Sequence, residues 1–194
     1  MIIDESGLVR AIKAAYKYNG YCVLNHGEQV TIYTDGWYIR CCWDKLPRKV
    51  LATIVEHMGM IPDGNNAFSI EKDGDPQIVM PDIVGQEISQ WTGGSDKGTA
   101  TLVPLMFQGL QIYQEPDGGQ CYGVDPASLA ILERMTAEHT TAIVSDGGSL
   151  SWQAGDELVV VGATRKTSYW VKSWERDVWT AMEGVDLHRR EDQE

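Results

Sequence analysis

Alternating apolar and polar positions mark three short β segments early in the chain, at 21–25, 29–34 and 37–43. The tight polar turns His26-Gly27-Glu28 and Asp35-Gly36 separate them. Links this short cannot carry parallel crossovers, so the stretch predicts an antiparallel meander. The period then becomes helical: Pro47 opens a segment with apolar residues at Val50, Leu51, Ile54, Val55 and Met58. Strands at 67–71 and 77–80 flank the turn Asp73-Gly74-Asp75. Ahead of the meander, 1–4 reads as a short strand, and Asp4 or Ser6 caps a helix to about Asn19 with Leu8, Ile12 and Ala15 as its buried stripe.

The stretch 81–98 changes character, with Pro81, Gly85, Gly93, Gly94 and Gly98 marking a loop or linker anchored by Trp91. Strands follow at 99–106 and 110–114, closed by Glu115-Pro116-Asp117-Gly118-Gly119. A boundary falls within 82–118, giving halves of 1–98 and 99–194. The second half predicts a strand at 120–124, then a helix from Asp125-Pro126 to about Glu138 burying Leu129, Leu132 and Met135. Strands at 141–145, 149–153 and 157–164, a further strand at 169–174 and a helix at 175–184 complete it, before a charged tail at 186–194. Strand, helix, three-strand meander and helix thus occur twice, displaced by roughly 120 residues. The expected fold is α+β, with antiparallel β meanders, helices on one face and two pseudo-repeated halves.

The charge is uneven. Residues 1–60 hold seven Lys/Arg against six Asp/Glu, whereas the remainder holds nine against twenty-two, for a net charge of -12. Such a chain is no generally adhesive nucleic-acid binder, but it can present one basic face. Arg10, Lys13 and Lys17 lie together on the first helix, either as a solvated face or as a phosphate-facing stripe. No apolar run reaches the roughly 18 residues that span a bilayer, and MIIDESG lacks the marks of an export signal, so a cytoplasmic protein is expected. Cys22, Cys41, Cys42 and Cys121 form no CxxC pair or disulfide framework, which predicts reduced, mostly buried thiols.

Catalytic chemistry is sparse. There is no phosphate-binding loop with lysine, no HExxH and no GxSxG. His26, His57, His139 and His188 are scattered, and Asp73-Gly74-Asp75 and Asp146-Gly147-Gly148 read as hairpin turns before they read as calcium loops. No catalytic residue, metal ligand or cofactor is expected. The seven tryptophans are a stronger signal. Trp170, Lys172 and Trp174 on one strand face, with Trp179 beyond, either fill a sheet–helix interface or form an exposed patch for a protein partner or a stacked base.

The layout, together with Thr34-Asp35-Gly36 in the first meander and Leu46-Pro47-Arg48-Lys49-Val50 leading through Met60-Ile61-Pro62-Asp63-Gly64 to 68–71, resembles bacterial DNA sliding clamps. The likeness covers roughly 1–80 and 120–184, more weakly in the second part. It implies helices lining a channel around duplex DNA, sheets pairing edge to edge between copies in a homo-oligomeric ring, and Arg10, Lys13, Lys17, Arg48 and Lys49 facing phosphates. The implied function is a non-enzymatic processivity or replication accessory factor. The alternative is a protein-interaction module that keeps the fold without binding DNA and contacts replication or repair proteins.

Overall fold

In the computed structural model, residues 1–80, 98–116, 118–145 and 147–188 are described. The expected linker with Trp91, the turn residues Asp117 and Asp146, and the end of the tail lie outside them. The elements run α1 (Glu5–Tyr18), β1 (Tyr21–His26), β2 (Gln29–Tyr33), β3 (Trp37–Cys42), α2 (Arg48–Met58), β4 (Ala67–Ile70) and β5 (Gln77–Val79). They continue with β6 (Gly98–Phe107), β7 (Leu110–Gln114), β8 (Cys121–Val124), α3 (Pro126–Leu129), α4 (Arg134–His139), β9 (Ala142–Val144), β10 (Ser149–Ala154), β11 (Glu157–Gly162) and α5 (Ser173–Glu183).

The strands form one antiparallel sheet of 11, in the order β5-β4-β1-β2-β3-β11-β10-β9-β6-β7-β8. The meanders β1-β2-β3 and β9-β10-β11 meet back to back through β3 and β11, with Ile39 opposite Val159. Lys45, just past β3, forms an ion pair with Asp156 in the β10–β11 turn and fastens the same seam.

Side chains alternate between the two faces of the sheet. Val23, Val30, Ile32, Ile39, Val159, Val161, Leu150, Trp152 and Tyr113 point to the first face, where they meet Leu8 and Ile12 of α1 and Val50 and Ile54 of α2. Ile112 and Cys121 point to the second face, where α5 supplies Trp179 and Met182. The expectation of helices on one face is therefore corrected: α1, α2 and α4 share a face, and α5 lies on the other. Gly123 permits the close approach of α5 on that face, because a Cβ on residue 123 would come within 3.1 Å of the Trp179 ring.

Helix α1 forms as its sequence suggests. The Asp4 carboxylate accepts from Gly7 N at 2.6 Å, Glu5 lies in the first turn and Lys17 in the last. Helix α2 ends at Gly59, whose φ of 72° is the left-handed stop favoured by glycine. Parallel packing of the two helices follows from two contacts. Lys49 pairs with Glu5 at 3.1 Å near the N-terminal ends, and His57 stacks on Tyr16, 4.0 Å between ring centroids, near the C-terminal ends.

Two further expectations are corrected. The helix predicted from Asp125 to Glu138 is broken at 130–133, because Ile2–Asp4 takes its backbone groups instead. Asp4 N donates to Ile131 O at 2.8 Å and Glu133 N to Ile2 O at 2.7 Å, making a single bridge between Ile3 and Leu132 where a short strand was expected. Ile2 N in turn donates to the buried Glu157 carboxylate at 2.6 Å. With the helix broken, Met135 turns outward and is 58% exposed. The second correction concerns 169–174, which holds turns and the start of α5 and no strand.

Candidate functional site

Two surfaces carry the residues singled out from sequence. The first is the outer side of α1 and α2. Arg10, Lys13, Lys17, Arg48 and Lys49 are all exposed there. Leu8 and Ile12 fix the roll of α1, and Val50, Ile54 and Met58 fix that of α2, so the cations project from one helical layer. Lys49 is engaged by Glu5, and the Lys17 ammonium lies 5.1 Å from the centre of the Tyr18 ring. Arg10 reaches a groove of about 370 Å³ between α1 and α4 that is also lined by Arg134, a residue not singled out from sequence. Arg134 is held by Glu138 at 2.6 Å. The signal missed was spatial: the break after α3 turns α4 toward α1.

At the junction of α1 and α2, the Tyr21 hydroxyl and His57 Nδ1 are hydrogen-bonded at 3.1 Å. Burial moves the two groups in opposite directions, raising the phenol well above its usual range and lowering the imidazole, to which nearby Lys13 adds while Glu56 opposes. Tyr21 therefore stays protonated and His57 neutral near pH 7, keeping a further cation out of the helix junction.

The second surface is an aromatic corner after β11. Ser168 builds it: Arg165 N donates to Ser168 Oγ at 3.0 Å, and Val171 N to Ser168 O at 3.1 Å. Buried Val171 anchors the turn, leaving Tyr169 at 87% exposure and Trp170 at 58%, their rings edge to face at 4.6 Å. Lys172 is exposed, its N–H donating to Glu175 at 2.8 Å, and Trp174 in the first turn of α5 is 50% exposed. Trp179 is the exception. At 1% exposure, with Phe107 edge to face against it, it belongs to the second core and not to a partner-binding patch.

Three of the thiols are held toward the protonated form. Burial, with Glu157 and Asp156 nearby, pushes Cys41 up to about 12, and burial with Glu183 and Glu115 does the same for Cys121. Cys42 is raised chiefly by its hydrogen bond to Asp156, whose own carboxyl is lowered by that bond and by Lys45. Among the described residues, no group of three or more His, Cys, Asp and Glu is arranged to hold a metal, and no helix is long and apolar enough to cross a membrane. Comparison with protein-family models, curated proteins and solved structures finds no match to this chain.

Proposed function

We propose that this chain is a clamp-like, non-enzymatic protein that associates with duplex DNA through the joint outer face of α1 and α2. The observation that carries the reading is the exposure of Arg10, Lys13, Lys17, Arg48 and Lys49 on one parallel helix pair, in a chain whose net charge is -12. Cations gathered this way attract phosphates without reading bases, which suits a sliding contact. The order β1-β2-β3-β11-β10-β9 adds support, since it sets two meanders symmetrically about one seam beneath the helix layer. In this role the protein is a processivity or replication accessory factor whose copies assemble into a ring. Light scattering with duplex DNA tests it. A closed oligomer retained on circular DNA and lost from linear DNA is expected, whereas a monomer indifferent to both at low salt overturns it.

A second reading, a protein-interaction module that keeps the fold without holding DNA, is favoured by the exposure of Tyr169, Trp170 and Trp174. Recovery of replication or repair proteins in nuclease-treated extract, lost in Trp170→Ala/Trp174→Ala, is its test.

A further inference from the structure

Three depressions run end to end from the aromatic corner across the turn before β3. The largest, about 580 Å³, is lined by Asp35, Asp125, Ser128, Ser149, Thr164 and Trp170, among others. The next, about 280 Å³, lies along α1 beside Ala11 and Ala14, and the last, about 200 Å³, reaches Glu71. Asp35 lines all three, and the second shares Asp125 and Ser128 with the first and Asn19 and Gly20 with the third, so they adjoin in a row as one open channel. Three carboxylates lie along it, and no Lys, Arg or His is among the described residues that line it.

The carboxylates retain capacity. Asp35 accepts from Asn19 Nδ2 at 3.0 Å, and Asp125 accepts from Ala127 N at 3.2 Å and Ser128 Oγ at 3.3 Å. An ionised carboxylate offers about four acceptor sites, so each keeps room for a further donor. The Trp170 indole, half exposed on the wall of the largest depression, offers a π face that attracts a cation. Arg165 packs against Gly148, where a Cβ would fall 2.5 Å from its Nε, and it is not part of the lining.

We propose that the channel receives an extended basic peptide segment of a protein partner, with an arginine or lysine head held between the Asp35 and Asp125 carboxylates and the Trp170 indole. The inference rests on the second reading above and gives that partner surface its chemistry. Negative walls select a cation, and three joined depressions suit an extended chain better than a compact ligand. Guanidinium fits best, since it pairs with carboxylate and stacks on indole at once.

The test is anisotropy of a labelled five-residue peptide carrying two arginines, titrated with the full chain at low salt. Asp35→Asn/Asp125→Asn preserves the helix cap, because asparagine caps as well as aspartate. It is expected to weaken binding about tenfold or more, as are Trp170→Ala and a peptide with citrulline for arginine. Arg10→Glu/Lys13→Glu/Lys17→Glu adds negative charge on α1 beside the second depression, without changing a residue that lines it, and should bind the peptide no more weakly. Equal binding of the citrulline peptide overturns the charge assignment while leaving an aromatic partner surface in place. Free arginine competing as well as the peptide overturns the extended occupant. No binding by any peptide overturns the channel as a site. If the double variant melts early, Asp35→Asn alone, at an exposed turn, carries the same expectation.

Discussion

The two meanders are laid out alike but covered differently. Over β1-β2-β3 lie two helices of 14 and 11 residues, packed in parallel and presenting five exposed cations. Beside β9-β10-β11, against β6 and β7, the corresponding helix is split into pieces of four and six residues, and the helix that follows has moved to the opposite face. The difference has a cause remote in sequence. The chain start lies against α3 and the segment after it, and takes backbone bonds that a continuous helix would have used. A common strand pattern therefore supports a continuous helix pair with exposed cations over one meander and a broken helix beside the other.

Disturbing the contact between the halves should have the largest effect. A Cβ on Gly7 would fall 1.6 Å from Ala130 O, so Gly7→Ala must push α1 away from α3. Overpacking of this kind costs about 3 kcal/mol. Chemical denaturation is expected to show that loss, and a stability close to that of the parent chain would contradict the close approach. Next comes the helix that changed faces. Trp179→Ala should cost about 3 to 5 kcal/mol by emptying the second core, whereas Trp174→Ala should stay within about 0.5 kcal/mol. Equal melting temperatures for the two variants would place α5 wrongly.

Glu157→Ala sharpens the role of the chain start. It leaves Ile2 N without its buried acceptor, at a cost of about 2 kcal/mol, and hydrogen exchange should quicken at Ile2 and Asp4. Exchange unchanged there would remove the anchor. The smallest effect concerns His57. Its folded pKa lies below the ordinary 6.5, so the folded chain holds this proton more weakly than the unfolded chain. The stability it contributes is whole above pH 6.5 and is lost as pH falls below it. His57→Gln should flatten the fall in melting temperature between pH 7 and 5. Because His26 is lowered as well, by burial and Arg40, the flattening should be partial.

What could be read from residues alone was set by local physics. The first meander, α1 with its Asp4 cap, and α2 with its Gly59 stop depend on alternation, turns and caps within a few residues, and the structure places them within a residue or two of expectation. The seam between β3 and β11 joins residues such as Ile39 and Val159, a pairing that no local pattern encodes. The break at 130–133 was hidden for the same reason, since its cause lies at Ile2 and Asp4. Trp179 misled because a tryptophan near Trp170 and Trp174 has the same composition signal whether a glycine opposite makes room for it or not. Of the candidate surfaces, the cations of α1 were legible because helix period alone places Arg10, Lys13 and Lys17 together, whereas Arg48 and Lys49 join them only through the packing of α2 on α1. The channel was not, because Asp35, Asp125 and Trp170 converge only after folding.

The central claim is that the basic helix layer, and not the acidic half, meets DNA. Its most direct test is duplex DNA binding by the parent chain and by Arg10→Glu/Lys13→Glu/Lys17→Glu, followed by anisotropy across salt. Five phosphate contacts give a log–log salt slope of about -4.5, and removing three should reduce its magnitude by about 2.7 and bring binding near the detection limit. An unchanged slope and affinity in the triple variant would contradict the account.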